Sequence, residues 1–101
     1  MERDQIIEVG INKNECLYVK PQKLKFPYMY REAVEVNWDA DNNYLFSPKP
    51  RKWSYPDWFV HIVSAASLQS CALYLTKETQ WVNITEELKS EILSKYQAIN
   101  T

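Results

Sequence analysis

Residues 44–63, Tyr-Leu-Phe-Ser-Pro-Lys-Pro-Arg-Lys-Trp-Ser-Tyr-Pro-Asp-Trp-Phe-Val-His-Ile-Val, constrain this chain more than any other stretch. Pro48 and Pro50 cannot donate to a strand ladder and force an extended connector. Ser54 is a good N-cap, Asp57 sits at capping-box spacing, and Pro56 falls in the first turn, where its missing N–H costs nothing. A helix is therefore predicted from Tyr55 to about Ser67. Its apolar stripe is Tyr55, Trp58, Phe59, Ile62, Val63 and Ala66, at helical spacing.

The segments ahead of that connector read as strands. Residues 5–11 are rich in β-branched side chains, residues 12–15 have turn composition, and residues 16–20 read as the returning strand of a hairpin that Pro21 ends. Residues 22–27 read as irregular or edge-like, because Pro27 has no N–H to offer a ladder. Residues 33–38 alternate, with Val34, Val36 and Trp38 on one face and Glu35 and Asn37 on the other. Residues 39–43 form a turn and residues 44–46 a partner strand. Residues 71–76 suit a strand or a helical extension equally. Asn83 with Glu86 is a second cap signal, before a terminal helix to about residue 98 lined by Ile84, Leu88, Ile92, Tyr96 and Ile99.

Strands first and helices after indicate an α+β fold. The expected architecture is a four- to five-stranded, mostly antiparallel sheet with two helices packed on one face. At 101 residues, one domain spanning 1–101 is expected. The high aromatic content, 14% with four Trp and seven Tyr, helps a short chain complete a core and also suits interfaces.

The net charge of −1 gives no global footprint for nucleic acid or an acidic membrane. The charges are unevenly placed. Lys20, Lys23, Lys25 and Arg31 occur without an intervening acid, whereas Glu78, Glu86, Glu87 and Glu91 make the last segment lean acidic. The single glycine, Gly10, excludes a Gly-rich phosphate loop. Cys16 and Cys71 sit among apolar neighbours, as buried free thiols do, and a single disulfide between them stays open. With no apolar run of membrane-span length and no signal-peptide layout at the N-terminus, a cytoplasmic protein is expected. In that setting the glycosylation sequon at Asn83-Ile84-Thr85 carries no meaning.

Catalysis finds little support. Asp57, His61 and Ser64 have the residue types of a triad, but side chains at these spacings on one helix project in parallel. A His packed beside Trp58 or paired with Asp57 is the better expectation. One His and two distant Cys match no zinc spacing. The acidic turn from Asp39 lacks the glycine and the closing glutamate of a calcium loop. No catalytic residue, metal or cofactor is therefore expected.

The segments that combine basic and aromatic residues are the best binding candidates. Lys49, Arg51 and Lys52 interleave with Trp53 and Tyr55 and run on to Trp58, and Arg31 follows Tyr28 and Tyr30. Trp, Tyr and Arg are the usual hot spots of protein interfaces. The expectation is a non-catalytic interaction protein that meets a protein partner through this loop and helix start. One alternative is a small-ligand binder with an aromatic-lined pocket between sheet and helix. A second is single-stranded nucleic-acid binding, which the charge disfavours. Plain core anchoring of Trp53 and Trp58 beneath solvated cations remains the bland reading.

The run from Tyr44 to Phe59, following a β-hairpin and leading into a helix, resembles small uncharacterised bacterial proteins of the mobile accessory genome, carried on integron gene cassettes or as toxin-immunity partners. That resemblance implies a compact, single-domain cytoplasmic protein that binds something, often as a homodimer. It transfers no functional residue.

Overall fold

A computed structural model describes residues 2–32, 34–49 and 53–99. Strand β1 (Glu2–Ile11) runs through the middle of the sheet. It is followed by β2 (Leu17–Pro21), a short 3-10 turn (Met29–Glu32), β3 (Asn37–Asp39) and β4 (Tyr44–Phe46). Helix α1 (Tyr55–Leu68), β5 (Cys71–Tyr74), β6 (Gln80–Val82) and helix α2 (Glu86–Ile99) complete the order. The strand order is β3-β4-β2-β1-β5, with β6 also on β1. The expected α+β class is correct. Among the described residues the sheet has six strands rather than four or five, and it is mixed. The pairs β1–β2, β2–β4 and β3–β4 are antiparallel, whereas β5 and β6 both run parallel to β1.

One edge of β1 serves two strands in succession. Glu2–Gln5 pair with β5, and Glu8–Gly10 pair with β6. Between them the Ile6 carbonyl has no ladder partner on that edge. Buried Thr79 supplies one, its hydroxyl donating to Ile6 O at 2.7 Å while accepting from the Thr76 N–H at 3.0 Å. On the other edge, the register with β2 shifts between Ile6 and Glu8. This bulge reverses which residues face inward. Asp4 and Ile6 are buried before it, and Val9 after it. Asp4 is satisfied by backbone, accepting from the N–H groups of Lys23 at 2.9 Å and Leu24 at 2.8 Å, so the chain after β2 is folded against β1.

The inward face carries Ile6, Val9, Leu17, Val19, Leu45, Cys71 and Leu73. Helix α1 covers it with Trp58, Phe59, Ile62, Ala65 and Ala66. Helix α2 packs on α1. Ile92 enters the common core, Tyr96 meets Phe59 edge-on at 6.1 Å, and the Tyr96 hydroxyl accepts from the Leu75 N–H. Met29, Phe26 and Val36 close the remaining flank. No helix among the described residues is long and apolar enough to cross a membrane. Both cysteines are free thiols, so the possible disulfide does not form.

The start of α1 is built as its sequence implies. Ser54 is the N-cap, Asp57 N–H donates to its hydroxyl, and that hydroxyl donates to Asp57 Oδ2 at 3.1 Å. Lys95 of α2 then binds Asp57 Oδ1 at 2.8 Å, tying the two helices together at the surface. Other local expectations change. The strand expected over 33–38 contracts to Asn37–Asp39, because Glu35 adopts a left-handed φ of 63° that no ladder accommodates. Its alternation of burial survives, with Val36 buried between exposed Glu35 and Asn37; residue 33 lies outside the described residues. Residues 71–74 are a strand, and β6 is an addition. The cap of α2 is Thr85, whose hydroxyl accepts from Leu88 N–H at 3.1 Å. Asn83 instead takes φ 57° and donates to Ile11 O.

On the outward face, Gly10 lies under the ring of Tyr18. A Cβ at Gly10 would stand 2.4–2.7 Å from that ring. The ring cannot swing away cheaply, because it stacks on Tyr44 at 4.4 Å and its hydroxyl donates to Glu8 Oε2 at 2.6 Å. Gly10→Ala is therefore expected to lower the unfolding free energy by about 1–3 kcal/mol. Urea unfolding measures this. In a Tyr18→Ala background the same substitution should cost much less, since the clash is gone.

The Asp57 carboxyl is held below the usual carboxylate range, chiefly by hydrogen bonds from Lys95 and Ser54. A depressed folded-state pKa contributes stability above the ordinary aspartate pKa of about 4, and that contribution fades as the pH falls through the folded value. The stability gap between wild type and Asp57→Asn is thus expected to be widest near neutral pH and to close as the pH falls below the ordinary aspartate range. Thermal unfolding of both proteins across pH 2–7 checks this (roughly the span over which a carboxylate titrates). A gap that widens towards acid contradicts the assignment.

Candidate interaction surface

Immediately before α1, the ring of Trp53 leans on Trp58 at 4.8 Å and on His61 at 4.9 Å; Trp58 and His61 are 5.5 Å apart. Trp53 stays 44% exposed while Trp58 is buried. His61 Nε2 lies 2.7 Å from the Val34 carbonyl oxygen. A carbonyl only accepts, so Nε2 carries the proton and donates. This bond ties the segment after the 3-10 turn to the helix. At the other end of α1, Gln69 Nε2 donates to the Glu32 carboxylate. Among the described residues the buried Trp58 indole N–H has no hydrogen-bond partner.

The 3-10 turn between those two ties alternates sharply. Met29 is buried, whereas Tyr28 and Tyr30 on either side are 53% and 65% exposed. The Arg31 guanidinium stands over both rings, 4.5 Å from the centroid of Tyr28 and 5.9 Å from that of Tyr30. Cation–π contact of this kind is worth about 0.5–1 kcal/mol at an exposed site. It also fixes the fork of Arg31 beside two aromatic faces.

Lys49 and Tyr55 go elsewhere. Lys49 pairs with Glu15 at 2.5 Å, and the Tyr55 hydroxyl donates to the Glu15 carbonyl at 2.9 Å. Glu15 lies in the β1–β2 turn with a left-handed φ of 62°. The Lys49 ammonium is stabilised by this carboxylate, and burial beside it raises the Tyr55 phenol. The Lys49–Glu15 pair is largely exposed and contributes little to stability.

The structure therefore distributes the candidate residues over distinct places. Tyr30 and Arg31 of the 3-10 turn join Tyr28, which precedes it. Trp53, just ahead of α1, and Trp58 join His61 on the side of the helix where the segment after the 3-10 turn docks through Val34. Lys49 and Tyr55 join Glu15 at the hairpin turn. Arg51 and Lys52 lie outside the described residues. Sequence reasoning noted Tyr28 ahead of Arg31 without counting it among the site residues, and it left out Glu15. The signal for Tyr28 is its Tyr-Met-Tyr alternation after Pro27. Glu15 carries none, because it meets Tyr55 only through a contact 40 residues away in the chain.

The residues considered for chemistry are used structurally. Asp57 turns to Lys95 and Ser54 while His61 turns to Val34, so the helical Asp-His-Ser set does not assemble. His61 packs beside Trp58. Asp39 spends its carboxylate on its own turn, accepting from the N–H groups of Asp41 and Asn42 and from the Asn42 amide. Among the described residues no group of three or more His, Cys, Asp or Glu could hold a metal ion. Burial and the adjacent Glu15 charge push the Cys16 thiol up, away from the thiolate a nucleophile requires.

Comparison with known proteins adds the lineage. No curated protein matches the chain. A solved structure described as "Structure from the mobile metagenome of North West Arm Sewage Outfall: Integron Cassette Protein Hfx_Cass5" is 38% identical, covering 96% of this chain and 98% of that one, with a TM-score of 0.49. The profile of the family described as Integron Cassette Protein Hfx_Cass5 matches residues 4–79. The match runs from within β1 to the Thr79 that joins β5 to β6, and the chain belongs to the Hfx_Cass5 integron cassette protein family.

Proposed function

We propose that this integron cassette protein is a non-catalytic binding module that engages a protein partner through the outer side of its 3-10 turn, with Trp53 as a second anchor. The observation that carries the reading is the exposure of Tyr28, Tyr30 and Trp53, with Arg31 laid across the two tyrosines. Aromatic side chains bury about 150–250 Å² each. Covering the exposed part of one ring would release about 2–3 kcal/mol at ordinary apolar coefficients. Tyr, Trp and Arg are also the residues on which interface energy concentrates. Their supports are rigid: Met29 is buried beneath the turn, and Glu32 and Val34 are fastened to α1. Preorganisation of this kind lowers the entropic cost of association. Two free cysteines suit a reducing, cytoplasmic setting. An immunity role is the special case in which the partner is a toxin. Self-association is the case in which it is a second copy.

The test is affinity capture from bacterial lysate with crosslinking, comparing wild type with a Tyr30→Ala/Arg31→Ala variant. A protein crosslinked beside residues 28–31 in the wild type should be lost in the variant. The variant's unfolding free energy should stay within about 1 kcal/mol of wild type, as expected when exposed side chains are trimmed. A dimer in light scattering that the same variant dissolves identifies the partner as a second copy. A variant that captures the same proteins at the same levels, with unchanged mass, removes the proposal.

A further inference from the structure

A different part of the molecule has the chemistry of a small-ligand site. The β1–β2 turn and the β3–β4 turn meet at one end of the sheet and enclose a cleft of about 230 Å³. Its floor is aromatic, formed by Tyr44 and Phe46, whose rings meet edge-on at 6.0 Å. Its rim carries the planar polar side chains of Asn12 and Asn14 from one turn and Asp39 and Asn42 from the other, with Lys13 and Cys16 beside them.

The cleft is built before any ligand arrives. Tyr44 is backed by Tyr18 at 4.4 Å, and Tyr18 is anchored on Glu8. The Asn12 amide donates to the Tyr44 hydroxyl at 3.4 Å, so the first turn touches the floor contributed by β4. Each turn is closed by its own side chain. Asn12 Oδ1 accepts from the N–H groups of Asn14 and Cys16, and Asp39 Oδ1 accepts from those of Asp41 and Asn42. Capacity is left over after these bonds. The Tyr44 hydroxyl keeps its own proton to donate, and among the described residues neither the Asn42 side-chain oxygen nor the Asn14 side chain makes a hydrogen bond.

The ligand class follows from that inventory. An aromatic floor with a rim of amide and carboxylate groups suits a molecule with an apolar C–H face and hydroxyls that both donate and accept. A pyranose ring has this shape. The cleft lies below the usual 300–1,000 Å³ of drug-sized pockets, which limits the occupant to about one ring. Hydrogen bonds from Asn42 hold the Asp39 carboxyl below the usual range, so it is ionised at neutral pH. Lys13 on the same rim balances it. With one charge of each sign and amides between, the rim carries no net charge to draw phosphates or other anions in. We propose that the cleft binds one ring of a neutral sugar, stacked on Tyr44 with its hydroxyls held by Asn14, Asp39 and Asn42.

The test is saturation-transfer NMR on the full chain with methyl glycosides of glucose, galactose and mannose, and with N-acetylglucosamine, each at millimolar concentration. Transfer to ring C–H protons of at least one sugar is expected, with amide shifts confined to residues 12–16 and 39–46. Tyr44→Ala and Asn14→Ala should each weaken binding about tenfold or more, the equivalent of about 1.4 kcal/mol. Asn14 makes no side-chain contact that the fold needs, so its variant keeps the test meaningful if Tyr44→Ala unfolds. No transfer from any of the four sugars, binding that survives in Asn14→Ala, or shifts produced by inorganic phosphate in place of sugar would overturn the proposal.

Discussion

The structure depends on how β1 is shared. Ten residues provide an antiparallel edge to β2 and a parallel edge to two separate strands, β5 and β6. Such an arrangement leaves one backbone carbonyl, that of Ile6, stranded at the changeover. A buried unpaired carbonyl is costly, and Thr79 removes the cost by placing its hydroxyl there. The bulge at the same point re-phases the strand, so Ile6 and Val9 both reach the core although an odd number of steps separates them. Helix placement follows. With the inward face continuous across β2, β1 and β5, α1 has one apolar surface to cover. Its uncovered side is then left to hold the 3-10 turn, through His61 and Gln69.

The parts of this fold that were legible from residues alone are those whose signals are local. Ser54, Pro56 and Asp57 mark the start of α1, and its stripe predicts which face is buried. Asp39 and its neighbours mark a turn. The opening hairpin and β4 fall where their composition places them. What was hidden depends on distant partners. Residues 80–82 are too short and too mixed to announce a strand, and they become one because β1 offers its unused edge. The left-handed φ at Glu35 breaks an alternating run that looks suitable for a longer strand. The bulge in β1 is a matter of register, which no single segment encodes.

The candidate surface shows the same division. Exposure of Trp53 and Tyr30 agrees with their placement near prolines and cations. The grouping of Tyr28 with Arg31 is set by the tightness of a 3-10 turn. The diversion of Lys49 and Tyr55 to Glu15 is set by the packing of a hairpin against the connector. A basic-aromatic run that is continuous in sequence thus becomes separate small constellations in space, each fixed by a different neighbour.

The shared edge of β1 also has a kinetic side. Its hairpin with β2 involves residues close in sequence and can form as soon as both have been synthesised. Its parallel partners lie about seventy positions later, beyond α1. Loop closure over that distance delays the pairing. On the ribosome, the first strand must therefore wait with one edge open until β5 and β6 emerge. During that interval the edge can template pairing with another chain. The bulge and the segment after β2 that Asp4 holds both involve residues within about twenty positions of this strand, and both distort or crowd it. The geometry that re-phases the core thus also makes the nascent strand a poorer template for aggregation.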